Sequence, residues 1–116
     1  MDIVGISRVR QACERTGEVF LRKVFTDRES EYCRRYDDPW SHLAGRFAAK
    51  ESVIKAIGRR LNPVDIEITT DTQGRPGVEL RGEAVVVARE VGAGRILVSI
   101  SHTGDLAVAV AVISGL

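Results

Sequence analysis

A chain of 116 residues fits one domain around a single core, with a small margin. Hydrophobic residues make up 44% and charged residues 28%, an ordinary globular balance that excludes a disordered segment, and no apolar run approaches the length of a membrane span. The net charge of +1 hides an asymmetry: residues 1–60 carry 13 Arg/Lys against 9 Asp/Glu, and the rest 4 against 7. A basic first half suits an acidic partner or a phosphate-bearing ligand, and equally an ordinary solvated helical surface. Scarce aromatics, 5%, and the mild total charge argue against a nucleic-acid-binding module. With no secretory leader before the first element, the expected setting is cytoplasmic.

Asp2–Ile6 is a short β-like run that passes into Ser7, a plausible N-cap, and a helix to about Arg15. Thr16-Gly17 punctuates, and a second short helix covers about 18–23. Thr26-Asp-Arg-Glu29 has the capping-box pattern and predicts a helix to about Arg35. Asp37-Asp38-Pro39 breaks the chain. The longest helix is predicted from Ser41 to about Gly58, with Leu43, Phe47, Ile54, Ile57 and Leu61 on one buried face. Asp65–Thr70 alternates as a half-buried strand does, 71–76 reads as a turn, and 78–80 returns as its partner. Glu83–Glu90 reads as a helix closed by Gly92 and Gly94. Arg95–Ser101 and Leu106–Ile113 form two strands joined by His102-Thr-Gly-Asp105. The second of them is apolar on both faces and belongs inside a sheet. The expected fold is one α+β domain over 1–116, an antiparallel sheet packed against a long central helix. Cys13 and Cys33 lack metal-ligand spacing and read as small buried hydrophobes.

Several residues bear chemistry. Glu51 and Lys55 are four apart on the long helix and share a face, as do Arg46 and Lys50. Such a pair is either a surface ion pair or a carboxylate for a hard cation beside an ammonium for phosphate or proton transfer. Asp2 on the first strand is either a solubilising terminal residue or a second carboxylate facing the middle of that helix. His102, between Ser101 and Thr103 at a strand end, is either structural or a phosphate contact. Serine-hydrolase elbows, phosphate-binding loops and zinc constellations are absent.

In chain order, Asp2-Ile-Val-Gly-Ile-Ser-Arg8-Val9, Phe20-Leu-Arg-Lys-Val-Phe-Thr26, Leu43-Ala-Gly-Arg-Phe-Ala-Ala-Lys-Glu51 with Lys55, Asp65-Ile-Glu-Ile, Gly74-Arg-Pro76 and Val98-Ser-Ile-Ser-His-Thr103 resemble the holo-acyl-carrier-protein synthase family of 4'-phosphopantetheinyl transferases. The resemblance spans essentially the whole chain. It implies transfer of the 4'-phosphopantetheine arm of coenzyme A to a serine of an apo acyl carrier protein, with Mg²⁺ on the diphosphate and adenosine 3',5'-bisphosphate as the leaving group. It implies Asp2 and Glu51 as metal ligands and Glu51 and Lys55 as catalytic residues. Lys50, Lys55, Pro76, His102 and Arg59 are implied for coenzyme A, and Arg8, Arg15 and Arg22 for the acidic carrier. Homotrimers with interfacial active sites are implied as well. Fatty-acid synthesis is the family's default pathway, with polyketide or other carriers equally compatible. The rival expectation is a relative that binds coenzyme A or a carrier without transfer.

Overall fold

A computed structural model describes residues 1–115. The elements in order are β1 (Asp2–Gly5), α1 (Ile6–Thr16), α2 (Glu18–Val24), α3 (Asp27–Arg34), α4 (Pro39–Ile57), a 3-10 turn (Pro63–Asp65), β2 (Ile66–Thr70), β3 (Pro76–Leu80), α5 (Glu83–Glu90), β4 (Ala93–Thr103) and β5 (Leu106–Gly115). Local signals explain most boundaries. The Thr26–Glu29 capping box forms reciprocally and opens α3. The Asp38 carboxylate accepts from the amides of Trp40 (3.2 Å) and Ser41 (3.4 Å). Pro39 takes the first helical position, where no N–H is needed, so α4 begins there rather than at Ser41. Gly58, at φ 80°, ends it.

Ser7 is not the cap of α1. That helix starts at Ile6, and its N-cap Gly5 has no side chain to offer. The cap comes from the turn between β4 and β5, where Asp105 accepts from the Ser7 amide (3.0 Å) and the Ser7 hydroxyl (2.7 Å).

Two antiparallel sheets form, one in the order β1-β5-β4 and the other the β2-β3 hairpin. Helix α4 crosses the larger sheet. Gly45 permits the close approach, since a Cβ there would lie 2.8 Å from Ile100 Cγ2. The expected stripe on α4 is only partly the buried one. Leu43 and Ile57 are buried, but Phe47 and Ile54 are half-buried, while Ala48, Ala49, Lys50 and Val53 are wholly enclosed. The reason is position: α4 has the sheet on one side and helices and the hairpin on others, so small residues mark its most crowded faces.

Strand β5 lies at the centre of its sheet, as its apolar run suggests. Ala107 and Ala109 face the core, whereas Val110 and Val112, with Ile3 and Leu97, stand exposed on the other face. Both cysteines are free and buried, and burial pushes the Cys33 thiol up to about 11. No helix among the described residues is long and apolar enough to cross a membrane.

Candidate active site

Strand β1 and helix α4 bring three of the expected residues together. Asp2 pairs in register with Ala109, a residue that faces α4, so the Asp2 carboxylate is turned toward the helix. Glu51 projects from α4 beside it. Burial, then the Asp2 charge, push the Glu51 carboxyl above its ordinary value. Lys55 donates to Asp2 Oδ1 rather than pairing with Glu51, and that bond raises the lysine's pKa. Asp2 and Glu51 open into a groove of about 370 Å³ whose walls include Arg8, Phe20 and Phe47. Gly5 leaves room there: a Cβ would sit 3.3 Å from Arg8 Cγ and Cδ.

Among the described residues no three His, Cys, Asp or Glu side chains gather at metal-binding distance. Two adjacent carboxylates alone suit a hard, oxygen-seeking ion that completes its shell with water and phosphate oxygens, which is how Mg²⁺ is commonly held. Asp2 and Glu51 therefore fit Mg²⁺ brought together with a diphosphate.

Lys50 requires a correction. Its side chain is fully buried, and its ammonium donates to Glu29 Oε1 (2.6 Å), Ile66 O (2.8 Å) and Pro63 O (3.0 Å). All three donors are used, so none faces a coenzyme phosphate. Burial lowers the Lys50 pKa, with Glu29 opposing. Glu29 in turn accepts from the Thr26 and Ile68 amides, and buried Glu67 accepts from Thr26, Arg28 and Arg81. The cluster fastens α3, α4 and the β2-β3 hairpin to one another.

A second group lies toward the start of α4. His102 stands 6.2 Å from His42, ring to ring, and His42 stacks on Tyr36 at 3.7 Å. Burial, then Arg46 and His102, hold His42 below its ordinary pKa. Arg46 is buried against the Tyr32 ring and donates to Thr70 Oγ1 at 2.6 Å. Its Nε is the buried side-chain polar atom without a partner among the described residues. Pro76 sits opposite Thr70 in the hairpin, so it belongs to this same neighbourhood. Arg28, Arg35 and Arg46 line a cleft of about 400 Å³ here together with Glu31, Glu67 and Asp71, so its charge is mixed. Sequence reasoning placed Arg46 on one face with Lys50 but gave it no role in the site, and it passed over His42. Arg46 follows Leu43 by three residues, and an arginine on a buried face is the signal that marks it.

Of the remaining expected residues, Arg8 lines the Asp2–Glu51 groove and the others stand apart. Arg59, beyond the end of α4, meets Glu90 at 3.4 Å. Arg8 and Arg15 are exposed on α1, and Arg22 on α2 is paired with Glu18 at 2.6 Å. His42 and Glu51 are nine residues apart on α4, about 13 Å along its axis. The chain thus holds two separate candidate half-sites, one acidic with a lysine and one of mixed charge with aromatics.

Residues 1–111 match the model of the 4'-phosphopantetheinyl transferase superfamily. The chain belongs to that superfamily, and within it groups with the holo-[acyl-carrier-protein] synthases. The synthase of Caldanaerobacter subterraneus subsp. tengcongensis is 43% identical, covering 98% of this chain and 91% of its own. The synthase of Moorella thermoacetica is 45% identical, covering 97% and 90%. The Helicobacter pylori holo-[acyl-carrier-protein] synthase, solved in complex with coenzyme A, superimposes with a TM-score of 0.85 at 32% identity, covering 97% of this chain and 96% of that one.

Proposed function

We propose that the chain transfers the 4'-phosphopantetheine arm of coenzyme A to a serine of an apo acyl carrier protein, with Mg²⁺ required. The observation that carries the reading is the convergence of Asp2, Glu51 and Lys55 from β1 and α4 at the head of an open groove. Asp2 and Glu51 would hold the ion, which when bound would offset charge on the coenzyme diphosphate. The serine oxygen bonds to the β-phosphorus, the anhydride P–O bond breaks, and adenosine 3',5'-bisphosphate leaves with the electron pair. Glu51, its pKa raised by burial and Asp2, is the nearest base for the serine proton. Lys55 contacts phosphate. His102 and Pro76 serve the nucleotide end, with Arg46 in the place expected of Lys50. Arg59 lies at the exit of α4 to meet a phosphate. Arg8, Arg15 and Arg22 face the acidic carrier.

A coenzyme bridging both half-sites favours assembly of copies, one supplying Asp2 and Glu51 and the next supplying His102. The exposed apolar face of Ile3, Leu97, Val110 and Val112 supports a homotrimer of this kind. The setting is cytoplasmic and the default pathway fatty-acid synthesis. The test is incubation with coenzyme A, Mg²⁺ and a panel of apo carrier proteins. A mass gain on at least one carrier is expected. No gain on any, while a known synthase succeeds in parallel, overturns the reading, and coenzyme binding without gain points to a binding protein instead.

A further inference from the structure

Lys55 is close enough in sequence to pair with Glu51, yet the fold gives it to Asp2. The two ends of this bond differ in freedom. The Asp2 side chain is 14% exposed and fixed on β1, while the Lys55 side chain is 61% exposed at the end of a flexible stem. Asp2 has no other side-chain donor among the described residues. Arg8 lines the same groove without bonding to either carboxylate, so the two share one bonded internal cation, held by an exposed ion pair of the kind that breaks at little cost. Arg59 is engaged with Glu90 and does not serve the pair.

A metal ion on the Asp2 and Glu51 oxygens would stand within a few ångströms of the Lys55 ammonium, where two cations repel. Lys55 must turn away for the ion to seat. A coenzyme diphosphate gives it somewhere to go, since an ammonium on a flexible stem suits phosphate oxygens. We propose that Lys55 is an exchangeable internal cation: it neutralises Asp2 in the empty site and moves to the diphosphate when coenzyme binds, which frees Asp2 for the metal. Coenzyme and metal then reinforce each other's binding, and the free protein takes metal weakly. The inference rests on the metal–diphosphate reading above.

The experiment is titration of the full chain with Mn²⁺, free and with saturating coenzyme A, followed by electron paramagnetic resonance, with the titration of coenzyme alone subtracted. Lys55→Met is expected to bind Mn²⁺ about fivefold more tightly than the native chain when coenzyme is absent. The gain from adding coenzyme shrinks accordingly. Lys55→Arg, which keeps a cation, stays near native. Arg60→Met, the same charge change beyond the end of α4, leaves the free affinity unaltered. An equal bound fraction in native and Lys55→Met chains at every Mn²⁺ concentration overturns the exchange, as does an equal gain in Arg60→Met. Asp2→Asn and Glu51→Gln separate this from the underlying reading. If both leave coenzyme-dependent Mn²⁺ binding intact, the metal site itself is wrong. If both abolish it while Lys55→Met changes nothing, only the exchange fails.

Discussion

Lys50 and Glu51 are consecutive residues, and their surroundings could hardly differ more. Lys50 turns inward to a closed polar cluster in which its ammonium has three acceptors and the facing Glu29 and Glu67 carboxylates are fully partnered. Glu51 turns outward to a half-open groove, beside a like charge and with no hydrogen-bond partner among the described residues. A satisfied buried network fixes how elements sit against one another. A pair of carboxylates with one bonded cation between them keeps affinity for a second. One turn of α4 therefore carries both the brace and the reactive edge, and the brace holds the reactive edge in place.

The contrast can be broken from either side. The largest effect is expected from Glu51→Ala, which should lower transfer to a carrier by about two to three orders of magnitude while the urea midpoint stays near native. A large loss of stability in that variant would place Glu51 with the brace. Lys50→Met should do the reverse, destabilising the chain by about 3–5 kcal/mol because Glu29 is left buried and unpaired. Urea unfolding measures it, and adding Glu29→Gln should recover part of the loss by removing the stranded charge. Arg15→Glu addresses the surface beyond both. It should raise KM for the carrier about fivefold, more at low salt, with kcat unaltered.

The smallest effect is a pH dependence. Glu51 is held above its ordinary pKa, so the folded chain favours the protonated acid. The native chain has its full advantage over Glu51→Gln in acid, below the ordinary carboxylate range. It loses that advantage as pH rises through the raised value. Urea midpoints of the two chains across the acidic range should diverge in that sense. An advantage that grows with pH would mean the carboxylate is stabilised by a partner.

Much of this was legible in the residues. The α3 capping box, the stop at Gly58, the β2-β3 hairpin and α5 follow from signals within a few positions of one another. The convergence of Asp2 with Glu51 was suggested by the order of motifs. The fate of Lys50 was not, because its acceptors Glu29, Pro63 and Ile66 come from three separate segments and leave no mark on its own helix. The stacking of His42 on Tyr36, with His102 edge-on to it, was hidden for the same reason. The Asp105 cap was hidden by distance, since it reaches Ser7 across 98 positions.

That last contact, with the pairing of β1 to β5, bears on biosynthesis. Strand β1 has β5 as its neighbour in the sheet, and α1 takes its cap from the turn that leads into β5. Asp2 is synthesised well before β5, yet its resting place exists only after that strand has been made. The growing chain can form α3 and α4 from local signals while β1 waits for β5. Loss of β5 should thus blind the site at Asp2, and a carboxylate made early is positioned late.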